Sequence, residues 1–361
     1  MKVAVLVSGG VDSSVALRLL LEQGHDVTAF YLKIWLEDEL SYLGECPWEQ
    51  DLAYVRAVCE QAQVPLQVIS LQKAYHEEVV KYTVAEVKAG RTPNPDMLCN
   101  KRIKFGMFFN AIDNSFEKIA TGHYAQVVYR DGLYYLYQAP DLIKDQSYFL
   151  SQLSQEQIGR ILFPIGGLHK AQVRALAAHF GLPNKDRKDS QGICFLGKLK
   201  FKDFIKHYLG EQDGALIEFE TGAVLGNHKG AWFYTIGQRQ GSGLSGGPWY
   251  VVAKDREKNN VYISRQYHAP EKQRNIFMIE QCNWISHAPS ISNGRMLVKM
   301  RHGQHMHQAL VALTMQNGVH SALITLSERD QGIAQGQFAV LYDEMGMCYG
   351  GGVIGSSVWA T

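Results

Sequence analysis

Lys2-Val3-Ala4-Val5-Leu6-Val7-Ser8-Gly9-Gly10-Val11-Asp12-Ser13-Ser14 is the stretch whose reading decides the fold. Residues 2–8 form an apolar run typical of a buried strand, and residues 12–23 carry a helical apolar pattern that ends at Gly24. A strand that breaks through two glycines into a helix is the opening of a βα unit. The pattern then repeats. An apolar run spans Val27 to Trp35, helical periodicity falls near 50–63, and a strand follows at 66–71. Helical segments at 72–89 and near 99–112 frame a further strand at 117–121. Asp131-Gly132, between apolar runs, marks a hairpin turn. Helices near 145–161 and 169–180 complete the series. Strands alternating with helices predict an α/β fold built on a parallel sheet.

Beyond about residue 210 helical periodicity fades and glycine becomes frequent. Short β-rich runs are expected at 214–219, 231–236, 248–253 and 260–264. More regular ones follow at 276–280, 295–301, 307–314, 321–326 and 337–342, with the spacing of a small β-barrel. The expected division is 1–205 for the α/β domain, 206–272 for a small β-rich central domain and 273–361 for the barrel. The chain's 361 residues fit two or three domains, at roughly 100–200 residues each. With 46% apolar and 20% charged residues, a disordered or collagen-like chain is excluded. The apolar start breaks at once into Ser8-Gly9-Gly10, unlike a secretory signal. No apolar run reaches the ~18 residues of a membrane span. A cytoplasmic protein is expected. None of the six cysteines forms a C-x-x-C pair, which argues against a zinc ribbon or a cysteine-bound cluster.

The net charge of +1 conceals an uneven distribution. Residues 1–80 carry −7, residues 81–210 carry +8, and residues 211–361 balance. The middle third is therefore basic although the whole chain is not, a pattern that fits a polyanion partner and equally an ordinary solvated surface.

The Ser8–Ser14 turn has the makings of a phosphate site. Its glycines let backbone approach closely, and the helix N-terminus behind it presents free N–H groups. Ser8, Ser13 and Ser14 add hydroxyls. Asp12 is too acidic to bind bare phosphate, so it is expected to hold Mg²⁺. The alternative is an ordinary glycine turn with Asp12 as helix cap. There is no G-x-x-x-x-G-K-[ST] sequence, which excludes a kinase or GTPase loop. S-G-G-x-D-S resembles the signature of the ATP pyrophosphatases. That resemblance implies ATP with Mg²⁺, release of AMP and pyrophosphate, and adenylation of a substrate oxygen.

Two further segments carry chemistry. In Thr92-Pro93-Asn94-Pro95-Asp96-Met97-Leu98-Cys99-Asn100-Lys101-Arg102, prolines stiffen the approach to a helix and Cys99 falls near its start. A helix N-terminus and nearby cations favour thiolate, while Asn94 and Asp96 offer donors and acceptors to a base edge. In Lys188-Asp189-Ser190-Gln191-Gly192-Ile193-Cys194-Phe195, a charged glycine-containing loop presents an isolated thiol. Either cysteine alone could be a buried apolar residue. Beside an ATP loop they fit a reaction in which sulfur displaces an adenylated oxygen.

SGGVDSS, TPNPDMLCNKRIKF, ATGHYA, KDQSYFL, KDSQGICFLG and YTIGQRQG occur in this order, and the chain resembles the bacterial tRNA-specific 2-thiouridylases along nearly its whole length. The resemblance implies an N-terminal Rossmann-like ATP-pyrophosphatase domain and a tRNA-binding barrel. It also implies replacement of the C2 oxygen of the wobble uridine by sulfur. Leu6, Val7, Ser8, Gly9, Gly10, Val11, Asp12 and Ser13 match the ATP loop, with Leu32 and Gly122 lining the nucleotide. Leu32 stands where the family usually has methionine, a swap that conserves volume. Cys194 matches the persulfide carrier. Cys99 matches the residue that resolves it, as a disulfide or by releasing its sulfur. Asn94, Pro95 and Asp96 match the target-base triplet. His123, Lys144, Asp145, Gln146, Arg301, His302 and Gln337 match tRNA contacts. The implied partners are tRNAs reading Lys, Glu and Gln codons, and a sulfur-relay protein or cysteine desulfurase as donor.

Two other readings compete: an ATP-pyrophosphatase ligase using an amine, and a non-catalytic tRNA-binding protein. Paired cysteines are unnecessary for the first, and intact Asp12, Cys99 and Cys194 oppose the second. His305 and His307 would share a strand face, but with no carboxylate nearby in sequence a metal site is not expected.

Overall fold

The computed structural model describes residues 1–358 except 35–47, 190–199, 240, 242, 270, 271, 273, 291, 292, 317 and 331. β1 (Lys2–Leu6) is followed by helix α1 (Val11–Glu22), β2 (Asp26–Lys33), helix α2 (Trp48–Ala62) and β3 (Leu66–Ser70). β4 (Lys118–Ala120) and the two-residue β7 (Ile161–Leu162) complete a five-stranded parallel sheet in the order β3-β2-β1-β4-β7. Val3, Ala4 and Val5 on β1 are wholly buried, as a central strand covered on both faces requires. The strand order reverses between β1 and β4. The crevice at their C-terminal ends is where ligands bind in such sheets.

The hairpin forms as expected, from β5 (Ala125–Arg130) and β6 (Leu133–Gln138). Asp131 and Gly132 both take positive φ, 52° and 81°, which matches the strand twist. Its destination is not the parallel sheet. β6 pairs with the C-terminal β17 (Met347–Val358), Leu136 opposite Cys348. One apolar core accordingly joins Phe30, Phe105 and Tyr148 to Ile285, Phe338 and Tyr342. The α/β unit and the barrel share a sheet and a core.

The central unit is a four-stranded sheet of β8 (Gly214–Glu218), β9 (Val224–His228), β10 (Tyr250–Asp255) and β11 (Asn260–Ser264), in the order β10-β11-β8-β9. The run expected as a strand at 231–236 is instead a short 3₁₀ turn, Ala231–Phe233. The Ala231 N–H is taken by Asn259 Oδ1 at 2.9 Å, so that backbone is capped rather than laddered. Helix Phe201–Leu209, unforeseen in the sequence, crosses the expected boundary at 205. It buries Phe204 and Ile205 in the cluster that surrounds Cys99.

The barrel comprises β12 (Arg274–Trp284), β13 (Asn293–Lys299), β14 (His307–Gln316), β15 (Val319–Asp330), β16 (Phe338–Tyr342) and β17, closed by β12 against β17. Phe277, Val298, Val311, Ile324 and Leu341 fill it. β17 escapes the sequence reading because of Gly350-Gly351-Gly352. A Cβ at Gly350 or Gly351 would lie 2.0 Å from a neighbouring carbonyl oxygen. Close strand approach therefore demands residues of low strand propensity. Among the described residues no helix is long and apolar enough to cross a membrane.

Candidate functional site

The β1–α1 turn occupies the switch point. Gly9 has φ +77°, and a Cβ there would meet Asp51 O at 2.7 Å and Arg187 Nη1 at 2.8 Å. Gly10 caps α1 without a side-chain hydrogen bond, which leaves helix N–H groups for a ligand. Asp12 is thus not the cap. Ser13 and Ser14, expected as phosphate donors, turn inward and donate to Gly10 O at 3.1 and 3.0 Å. Gly122, after β4, is pressed onto this turn: a Cβ would stand 2.6 Å from Ser13 N. Leu32 lies half-buried near the end of β2, against the main core.

Asp12 Oδ1 accepts from Tyr124 Oη at 2.9 Å and from Lys170 Nζ at 2.6 Å. Lys170 also reaches Asp189 at 2.8 Å, and Lys144 and Arg174 each reach Asp189 at 2.6 Å. Burial would raise the pKa of Asp189, but hydrogen bonds from Lys144 and Lys170 outweigh it and hold the carboxyl well below its usual range. Arg187 pairs with Asp51, and its Nη1 is buried without a partner. Asn184 Nδ2 ties Gly9 O (2.8 Å) to Ser14 Oγ (2.9 Å). Lys144, Lys170, Arg174 and Arg187 thus face three carboxylates, Asp12, Asp51 and Asp189. The concentrated cations, the orphan guanidinium nitrogen and the Cβ-free cradle suit a polyphosphate. Asp12 is the carboxylate of the turn itself, and its Oδ1 is occupied by Tyr124 and Lys170. Tyr124, Lys170, Arg174 and Asn184 are absent from the sequence reading, because they come from scattered positions without a local motif.

Asn94 Oδ1 accepts from Met97 N at 3.3 Å and caps helix Pro95–Leu98, with Pro95 in its first turn. The helix continues through a wide π-type stretch, Cys99–Met107, a distortion frequent at functional sites. Cys99 therefore follows the first helical turn, as expected, yet it is wholly buried among Tyr75, Val79, Leu98, Ile103 and Phe204. Cys194 lies outside the described residues. Asp189, five positions before it, is anchored in the ion-pair cluster with Lys144, Lys170 and Arg174.

His123 Nδ1 lies 2.7 Å from Thr121 Oγ1. Burial, helped by Lys104, pushes its pKa well below the ordinary histidine value, so it is neutral at pH 7 and cannot act as a cation toward RNA. Gln146 Oε1 accepts from Tyr124 N at 3.0 Å. Asp145, expected at a tRNA contact, has a different setting. It is 1% exposed and receives Lys299 Nζ at 3.1 Å, together with Gln138 Nε2, Ala139 N, Ser147 N and Ser147 Oγ. Its carboxylate is consumed by the domain junction.

The barrel reaches the segment around Thr92–Asp96. Thr92 N donates to Gln335 O at 2.7 Å. His302 stacks obliquely on Phe149 at 4.9 Å, and burial lowers its pKa, with Asp96 and Lys144 among the charges it feels. Arg301 is exposed and pairs with Asp330 at 2.9 Å. Gln337 Oε1 is buried without a donor. His307 Nε2 lies 3.3 Å from Asp330, a carboxylate that β15 brings in and that sequence proximity does not reveal. Among the described residues no three metal-ligating groups cluster.

Three family models match the chain in succession. The tRNA methyl transferase HUP domain covers residues 1–198, the tRNA methyl transferase PRC-barrel domain 202–265, and the aminomethyltransferase beta-barrel domain 274–354. Among relatives, "tRNA-specific 2-thiouridylase MnmA 1" of Bacteroides thetaiotaomicron is 45% identical over 98% of this chain and 99% of its own length. "tRNA-specific 2-thiouridylase MnmA" of Porphyromonas gingivalis is 45% identical and that of Parabacteroides distasonis 44%, each over 98% of this chain and 99% of its own length. A solved complex of a 4-thiouridine synthetase with RNA and ATP overlays 57% of this chain and 50% of its own, at 13% identity and a TM-score of 0.35. That likeness is too slight to carry an argument.

Proposed function

From the premise that this chain belongs to the tRNA-specific 2-thiouridylase family, whose work is tRNA thiolation, we propose that it is an ATP-dependent sulfurtransferase acting on C2 of the wobble uridine in the cytoplasm. The observation that carries the reading is the cation-rich cradle at the switch point, where Gly9 and Gly10 meet Lys170, Arg174 and Arg187.

Uridine C2 is a poor electrophile, so its oxygen must first become a leaving group. The cradle would hold the ATP phosphates, and Asp12 would hold Mg²⁺, which would supply charge neutralisation on the departing pyrophosphate. The uridine O2 attacks the α-phosphorus, pyrophosphate leaves, and O2 is adenylated. The terminal sulfur of a persulfide on Cys194 then attacks C2, and AMP departs with the former O2. Cys99 thiolate breaks the remaining S–S bond, which leaves C2=S on the base and a Cys99–Cys194 disulfide. Release of sulfide from the persulfide before attack is the alternative route. A persulfide is more nucleophilic than a plain thiol, and the attacked base must leave its stack, which is easiest in a single-stranded anticodon loop. Asn94, Pro95 and Asp96 receive it. His123, Lys144, Gln146, Arg301, His302 and Gln337 contact the tRNA, while Asp145, buried against Lys299, anchors the segment that carries Lys144 and Gln146. The donor is a sulfur-relay protein or cysteine desulfurase, and the tRNAs are those reading Lys, Glu and Gln codons.

The test supplies ATP, Mg²⁺, a persulfide donor and unmodified tRNA, followed by nucleoside mass spectrometry. 2-Thiouridine with wild type and none with Cys194→Ser is expected. Undiminished product from Cys194→Ser would overturn the assignment.

A further inference from the structure

Away from the ATP cradle, a cavity of about 310 Å³ opens between the α/β unit and the central sheet. Lys88 enters from the end of helix Lys81–Lys88, Lys254 from β10, and Arg256 from the turn that follows it. No carboxylate is found among the described residues lining it. A concave site with three cations and no counter-charge selects an anion. Trp232 also lines it, and the indole N–H of Trp232 is buried with no hydrogen-bond partner. That N–H is packed against Gly230, so the three cations are what an anion in the cavity would meet. Burial pushes the Lys254 amine down to about 8, and an anion in the cavity would keep it charged.

The cavity walls identify the anion's source. Val87, Leu209 and Trp232 belong to the same apolar cluster that encloses Cys99. The cavity therefore stands behind the segment that receives the target base, on the rim of the basic region 81–210. We infer that this cavity is a phosphate-binding site for the tRNA backbone, which docks substrate across the junction of the catalytic and central units. The inference rests on tRNA being the substrate and adds a contact outside the residues named above. Lys254 already donates to Tyr234 O at 2.9 Å, which fixes the amine where a phosphate oxygen can share it.

The experiment measures binding of unmodified substrate tRNA to the full chain by fluorescence anisotropy across a KCl series. Wild type, Lys88→Gln/Arg256→Gln and Lys254→Met are compared, with thermal melts to exclude misfolding. The exposed pair is the safe variant should Lys254→Met fold poorly. Affinity of the double variant should fall about tenfold, the loss of one charge-assisted contact. The slope of log K against log salt should fall by about 0.7–0.9 per lost phosphate contact. The KM for tRNA should rise in parallel, with kcat at saturating tRNA held within about twofold, since uniform binding is lost. Unchanged affinity and slope would overturn the proposal. So would AMP, titrated by calorimetry, binding wild type and not the variant while tRNA affinity holds, because the site would then serve a free nucleotide. Failure of the functional reading looks different: wild type binds tRNA with the expected salt slope but makes no 2-thiouridine.

Discussion

Replacing Lys299 by methionine should loosen the barrel from the catalytic unit, and the size of the effect follows from the junction. Lys299 and Asp145 are each 1% exposed and 3.1 Å apart. The segment around Asp145 also reaches the barrel through Ser147 to Tyr342 Oη at 3.1 Å and through Tyr148 Oη to Phe338 O at 3.1 Å. Removing one partner of a buried pair costs about 3–5 kcal/mol, because the other charge stays buried and uncompensated. Four donors remain on Asp145, and methionine keeps the apolar stem packed, so the lower end, about 3 kcal/mol, applies. At roughly 2–4 °C per kcal/mol for units of 150–250 residues, the melting midpoint should drop by roughly 6–12 °C. Adding Asp145→Asn removes the stranded charge, and the double variant should recover part of the loss. Differential scanning calorimetry on wild type, both single variants and the double variant completes the cycle. A drop below about 2 °C, or strictly additive losses, would refute the view that this pair locks the two units.

Gly122→Ala places a Cβ 2.6 Å from Ser13 N and 2.7 Å from the Asp12 carbonyl carbon. It should raise the KM for ATP at least tenfold, and an unchanged value in steady-state kinetics would contradict the cradle. His123 is held neutral in the folded state, whereas the unfolded chain binds a proton near 6.5. Stability is therefore full above that value and declines as pH falls below it. His123→Gln should flatten this slope in denaturant titrations between pH 7 and 5, at a cost at neutral pH that the wild-type curve calibrates. Cys99 is wholly buried, so in the free protein it should react with a thiol reagent far more slowly than a surface cysteine. Peptide mass spectrometry of the labelled chain checks this, and prompt labelling would show that the buried state is not the one populated.

How much could be read from the residues depended on how local each signal was. β1, its glycine turn and α1 are contiguous, so period and punctuation reveal them together. The Asp131-Gly132 hairpin is equally local, but its partner β17 lies more than two hundred residues away, and no pattern within the hairpin says which sheet it joins. β17 itself is hidden by glycines that close packing requires. The position of Asp12 at the switch-point turn was legible from its place in the loop. Its companions Tyr124, Lys170 and Arg174 were not, because tertiary folding alone brings them together. Asp145 shows the reverse error. It sits in a segment that resembles an RNA contact, yet its burial against Lys299 becomes visible only when the barrel is in place. The basic third of the chain was visible in the charge distribution, while the cavity that combines Lys88 with Lys254 and Arg256 draws from both sides of that division.

The most direct test of the central claim is a single turnover. The protein is loaded with ³⁵S persulfide, freed of donor and mixed with unmodified tRNA, with and without ATP and Mg²⁺. Label should pass to C2 of the wobble uridine only when ATP is present, with AMP formed in step with 2-thiouridine and nothing transferred by Cys194→Ser. Transfer without ATP, formation of ADP instead of AMP, or wild-type transfer by Cys194→Ser would contradict it.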